Sequence, residues 1–328
     1  MDVTAYAASV GHSTWFSYDV GETWNRAHTT SGGIYNESRC WCLSVHPDRP
    51  GEVLSGTDLG VYRWDPTASR WDHISSPMDG LHILQIAQAP HDPDIIFAGT
   101  RPAEIYSSFD GGLTWRRCRL DNGTECWFIN TPRVTSIQFD PVDRNTVWVS
   151  IEIEGIFRTT DLGETWEKLN DGLISVDTHN LVFFDAADGG REILCSTEEG
   201  LHKSTDNGAH WHHITMPQAP FVYMRCMERR ADDSEVVFLS VGDKPSGETG
   251  MLLRSRDRGE TWQAIDLPGH VNSTIWWIGT NKADPNLIFC CTIMGQVWRS
   301  TDGGEVWRKM VRELGELRMI AWQPRVAA

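Results

Sequence analysis

Short runs in which apolar and polar residues alternate follow one another along the chain, each closed by Gly, Pro, Asp or Asn. Val134-Thr-Ser-Ile-Gln-Phe-Asp140, Thr146-Val-Trp-Val-Ser150 and Glu235-Val-Val-Phe-Leu-Ser240 are examples. A period of two is that of a strand burying one face, so the pattern predicts many short strands joined by tight turns. Trp307 to Leu314 is the exception, with residues that suit a short helical turn.

A block recurs along these strands. It reads Ser17-Tyr-Asp19-Val-Gly21-Glu-Thr23-Trp24 and returns at Ser108–Trp115, Thr159–Trp166, Ser204–Trp211, Ser255–Trp262 and Ser300–Trp307. A worn copy, Arg63-Trp-Asp65 to Trp71, keeps the Asp and Trp but loses the glycine. The aspartates stand at 19, 65, 110, 161, 206, 257 and 302, giving intervals of 46, 45, 51, 45, 51 and 45 residues over the whole length of 328. Each block has turn chemistry: hydroxyl and carboxylate to satisfy turn amides, glycine for positive φ, and tryptophan as an apolar plug. With two alternating runs before it, a third strand running into the block and a fourth after the Trp, each unit supplies four strands. Units of roughly 40–50 residues with four strands are the mark of propeller blades.

Innermost strands are expected to begin near Trp41, His82, Arg133, Asn180, Tyr223, Ser273 and Leu317, which makes seven blades. The chain starts on the second strand of a blade and ends on a lone first strand, Leu317-Arg-Met-Ile-Ala-Trp322. That C-terminal strand is expected to complete the N-terminal blade and close the ring, removing exposed sheet edges. The expectation is an all-β, single seven-bladed β-propeller of four-stranded blades filling residues 1–328. Its blades are about 1–27 plus 317–326, 39–75, 82–118, 133–169, 179–214, 222–266 and 273–310.

The block resembles the Asp-box, or BNR, motif S/T-x-D-x-G-x-T-W. That motif is found in sialidases, xyloglucan-cleaving glycosidases, sortilin-type receptors and photosystem II assembly-factor propellers. The resemblance implies the propeller fold. It also implies that the motif lies on the turn between third and fourth strands, remote from the binding face, so it carries little about function. The chain lacks the Arg-Ile-Pro start of sialidases, which have six blades, and no tyrosine–glutamate nucleophile pair can be mapped, so sialidase catalysis is not carried over.

Lys plus Arg is 29 against 45 for Asp plus Glu, a net charge of −16. An acidic surface repels phosphate backbones and anionic lipid, so nucleic acid and membrane are not expected as partners. No run approaches the roughly 18 apolar residues of a membrane span. The eight cysteines form no C-x-x-C pair and read as reduced core thiols, with a Cys118–Cys126 bridge open only to an exported protein. Met1-Asp2-Val3-Thr4 leads straight into a strand-like run, and the protein is expected to be cytoplasmic.

The loops from second to third strand and from blade to blade reach the open mouth of a propeller, and they carry three constellations. The first is acidic: Glu152 and Glu154, two apart and so on one side of a strand, with Glu104 and Glu198 from flanking blades. Paired carboxylates cleave glycosidic bonds when their surroundings split the two pKa values. A solvated acidic rim is the plain alternative. The second is His82, His179 and His270 on alternate blade-to-blade loops, with His12, a ligand set for a divalent metal. No cofactor is otherwise called for, and loop histidines more often only hydrogen-bond. The third is Arg39, Arg101, Arg133, Arg225 and Arg318, which suit a carboxylate or phosphate unless each pairs with a nearby glutamate. In the assembly factors, the resemblance implies, an arginine patch binds a protein terminus. Tyr35, Trp41, Trp127, Trp276 and Trp277 add aromatic faces, of which only one of the adjacent tryptophans is free for a ligand.

Two functions remain open from sequence. One is a small-molecule-processing enzyme, a glycosidase-like hydrolase or a lyase acting on a small polar molecule or saccharide. Glu152, Glu104 or Glu198 would work there with His82 or His179, and Arg39, Arg101, Arg133, Arg225, Tyr35 and Trp276 would bind the substrate. The alternative is a non-catalytic scaffold that docks a peptide or protein assembly intermediate. The long polar loops Gly99–Glu104 and Asp243–Glu248 tilt the reading toward the enzyme.

Overall fold

The computed structural model describes residues 1–27, 33–123, 131–185, 190–216 and 219–326. These form seven antiparallel sheets of four strands and no helix, a seven-bladed β-propeller. Blade 1 has Leu317–Pro324 innermost, followed outward by Val3–Ser9, Thr14–Ser17 and Asn25–Arg26. Ala5 pairs with Trp322 and Ala7 with Ile320, so the last strand of the chain completes the first blade, as expected. The other innermost strands, blades 2 to 7, are Cys40–Val45, His82–Ala89, Val134–Phe139, Thr178–Asp185, Tyr223–Arg229 and Ile275–Gly279. The expected helical turn after Trp307 is absent; Arg308–Lys309 pairs instead as the outer strand of blade 7. Ladder hydrogen bonds and burial of Trp307 decide there over helix propensity.

The recurrent block folds as its chemistry requires. In blade 1 the Asp19 Oδ1 accepts from Ser17 Oγ and from Thr23 N, each at 2.8 Å, and Gly21 N donates to Ser17 Oγ at 2.8 Å. The same bonds recur around Asp110, Asp161 and Asp257. In blade 5 the His210 ring bonds Asp206 Oδ2 at 2.6 Å where the others use a threonine hydroxyl. The motif glycine does more than turn the chain. A Cβ on Gly304 would lie 2.5 Å from Phe238 Cζ of the preceding blade, and one on Gly208 would lie 2.9 Å from Trp148. Each turn is thus pressed against its neighbour's core. Arginines complete the seams: Arg299 donates to Val20 O at 2.6 Å, and Arg158 to Asn207 O at 2.8 Å. The seven described cysteines are free and buried; Cys126 lies outside the described residues.

Candidate functional site

The first turn of every innermost strand carries the same defect. In blade 2 Cys40 pairs with Thr57 and Cys42 with Gly56, which leaves Trp41 without a partner. Equivalent shifts isolate Leu84, Thr135, His179, Arg225, Trp276 and Arg318 in blades 3 to 7 and 1. A bulge inserts one residue on one strand and re-aims its side chain. Seven bulges at one level therefore make a ring, and six of its members, all but His179, line a cavity of about 40 Å³ at the mouth.

One arc of the ring is a ladder of cations and aromatics. The Arg225 guanidinium lies 4.2 Å from the Trp276 ring centroid and Arg318 lies 4.9 Å from the same ring. Arg318 also reaches the Trp41 ring at 5.4 Å, and Trp41 stacks on His82 at 5.4 Å. Arg133, from the start of blade 4's inner strand, completes the cluster. Arg318 pairs with Glu316, and Arg133 Nη2 lies 2.7 Å from Glu152 Oε1. Arg225 is different: it is 8% exposed, its Nε has no partner, and it forms no ion pair among the described residues. Burial, reinforced by the charges of Arg133 and Arg225, pushes Arg318 down to about 10. Guanidiniums crowded like this, with one unpaired, favour an anion.

The facing arc is acidic. Glu152 is buried, its Oε2 has no hydrogen-bond partner, and burial pushes its carboxyl up against the opposing pull of Arg133. Burial raises Glu198 as well, helped by the neighbouring Asp177 charge. Asp177 goes the other way: despite its burial, His179, Arg133 and Arg225 hold it below the ordinary carboxylate range. His179 is fixed between them, with Nδ1 2.7 Å from Met224 O and Nε2 3.5 Å from Asp177 Oδ1.

The residues singled out from sequence divide accordingly. Glu152, Glu198, His179, Arg133, Arg225, Arg318 and Trp276 gather at the mouth. Glu104 leaves it: its carboxylate accepts from Tyr106 Oη at 2.5 Å and pairs with Arg117 Nη2 of the outer strand at 2.7 Å. Glu154 is drawn outward to Lys168 Nζ at 2.8 Å, because Glu152 and Glu154 sit in a turn around Ile153 (φ 60°) and not on one strand. The expected shared face of Glu152 and Glu154 is therefore not formed. Arg39 and Tyr35 are exposed on the rim, and Arg101 lies near Thr131 and His82. His82 is stacked on Trp41, and burial first and the Arg39 and Arg101 charges next lower its pKa against the pull of Asp58. His270 is exposed on its loop, so His82, His179 and His270 do not converge. Among the described residues no three His, Cys, Asp or Glu side chains meet in metal-binding geometry. Trp127 lies outside the described residues. Leu84, Thr135 and Gln85, which also line the cavity, were not singled out. Aligning the repeats on Cys40-Trp41-Cys42, Ile83-Leu84-Gln85 and Met224-Arg225-Cys226 would have found the ring, since the bulged residue is always the middle one.

Fold and mouth define a seven-bladed β-propeller with an arginine–tryptophan cluster at the entrance of its channel. It resembles xyloglucanase propellers and those of the photosystem II assembly factors. Residues 154–295 match the family model described as Sortilin, neurotensin receptor 3. A xyloglucanase of a Paenibacillus species is 24% identical over 88% of this chain and 32% of its own length. The chloroplastic photosystem II stability/assembly factor of Arabidopsis thaliana is 27% identical over 47% of this chain and 36% of its own. The chain thus spans about a third of these curated relatives. Among solved structures, the xyloglucanase of Xanthomonas campestris superposes with TM-score 0.65 and 22% identity over 88% of this chain and 47% of that one. The structure titled YCF48 bound to D1 peptide gives 0.58 and 16%, covering 84% of this chain and 81% of that one.

Proposed function

We propose that the protein is a docking module that holds a carboxylate-bearing polypeptide segment at the mouth of the propeller. The observation that carries this is Arg225, buried, stacked on Trp276 and in no ion pair among the described residues. A cavity of about 40 Å³ suits one carboxylate. Exposed aliphatic side chains ring the same face: Ile174, Val222 and Val311 on blade-to-blade loops, Leu59 and Met294 on the second-to-third turns. Such a collar suits the apolar flanks of a peptide better than a sugar, which seeks aromatic faces and hydrogen bonds. The likeness to a peptide-bound propeller of similar extent supports the reading.

A glycoside hydrolase is the second reading, favoured by the xyloglucanase relatives and by Glu198 and Asp177, whose pKa values are pushed apart as an acid and its partner require. Tryptophan fluorescence titration with peptides carrying free or amidated C-termini tests the first, and incubation with xyloglucan oligosaccharides tests the second. The docking reading expects free-acid peptides to bind, the amides and the Arg225→Met variant to bind far more weakly, and no reducing sugar to appear. Equal binding of acid and amide overturns it. So does sugar release that Glu198→Gln abolishes.

A further inference from the structure

Gln85 and Trp277 line both the mouth cavity and a larger one of about 240 Å³ below it, so the two adjoin along the channel. The channel wall is largely neutral: Ser44, Gln88, Ser136, Gln138 and Asn180 face it between apolar residues. Gln88 Nε2 and Ser136 Oγ have no partner among the described residues. A single ionisable residue, Glu228, lines that cavity. It accepts one hydrogen bond, from Thr280 Oγ1 at 3.3 Å, and forms no ion pair among the described residues. Its neighbour Arg229 is engaged elsewhere, donating to Phe183 O at 2.9 Å and Ser234 O at 3.1 Å. A cationic mouth therefore stands above a floor whose one ionisable group is a carboxyl.

Resting on the docking reading, we propose that mouth and channel form one bipolar site for the last residue of a polypeptide that ends in lysine. Its α-carboxylate lies on Arg225 and Arg318, and its ε-ammonium on Glu228. Arg225 and Glu228 are three residues apart on one inner strand, a rise of about 10 Å. An extended lysine spans roughly 6–7 Å from carboxylate to ammonium, and a charge-assisted hydrogen bond of about 2.8 Å at each end brings the reach to about 12 Å, of the same order as that rise. Burial pushes Glu228 up to about 7 against the opposing pulls of the Thr280 hydroxyl and the Arg229 charge. An ammonium beside it restores the charged form.

The test uses three decapeptides of one alanine-, glutamate- and leucine-containing sequence, ending in lysine acid, norleucine acid or lysine amide. Each is titrated into wild-type and Glu228→Gln protein. The expected result is that lysine acid binds wild type about ten-fold more tightly than norleucine acid, the worth of a countercharged ammonium in a half-buried site. In Glu228→Gln the two acids become equivalent. Equal binding of the two acids by wild type, with both above the amide, overturns the bipolar site and leaves mouth docking standing. Binding of the amide as tight as the acid, or of no peptide, overturns both. Because the norleucine comparison is made on wild type, it does not depend on the variant folding.

Discussion

Arg225→Met should make the protein more stable and blind to carboxylates. Arg225 is 8% exposed and forms no ion pair among the described residues, and with Arg133 it is part of what pushes Arg318 down to about 10. A depression of that size corresponds to about 3 kcal/mol against the charged form of Arg318. Burial is the largest share, so Arg225 accounts for something of order 0.5–1 kcal/mol. Replacing an unpaired buried cation by an apolar side chain of similar length recovers its own desolvation, about 1–2 kcal/mol after relaxation. Against this stands the lost cation–π contact with Trp276, roughly 1–2 kcal/mol, partly restored by a methionine sulfur on the same ring at about 0.3–1.5 kcal/mol. The lost attraction to the Asp177 and Glu152 carboxylates takes back part of the rest, and the balance is a gain of about 1 kcal/mol, or about 2 °C in Tm for a domain of this size. Sodium formate is the probe, with sodium chloride at equal ionic strength as control. For a Kd of order 10 mM, about 100 mM formate adds roughly 1.4 kcal/mol to wild type, and none to Arg225→Met. A variant that melts lower than wild type in chloride, or gains as much from formate, refutes the reasoning.

Two further outcomes are expected. Stability should pass through a maximum near about pH 5, followed by urea midpoints. The turn carboxylates, such as Asp161, held down to about 2 by Thr165 and Thr159, contribute stability above about pH 4 that is lost as pH falls toward their folded values. Glu228, pushed up to about 7 by burial, acts with the opposite sign, so stability declines as pH rises from about 4.5 to 7. Midpoints that are flat from pH 7 to 2.5 would contradict both assignments. Gly279→Ala should cost about 2–3 kcal/mol by denaturant unfolding, because its Cβ would lie 2.5 Å from the Ile320 carbonyl of the next blade, and backbone cannot rotate away. A loss under about 0.5 kcal/mol would mean the blades can part there at little cost.

Blade number and ring closure were legible because both follow from short-range patterns: turn chemistry repeated at intervals of 45 to 51 residues, and an odd strand at each end. The mouth was only half legible. Arg133, Arg225 and Trp276 were found because strand starts place them there. Glu104 and Glu154 were misplaced because Arg117 and Lys168, on outer strands, draw their carboxylates away. Those partners are remote from the loop and follow from the blade's own register, which spacing along the chain does not specify. Leu84 and Thr135 carry no chemistry that marks a site. They matter only because a bulge turns them toward the axis.

The pairing of the first and last strands also sets how the molecule bears load. Val3 lies opposite Pro324 and Ala8 opposite Met319, so both chain ends leave the blade from the same end of that ladder. Tension applied between the termini meets the hydrogen bonds one after another, as in unzipping, and not together, as in shear. The ring should therefore part at low force. Once Leu317–Pro324 has peeled away, Val3–Ser9 and the emptied place beside it become a bare edge that another strand can take.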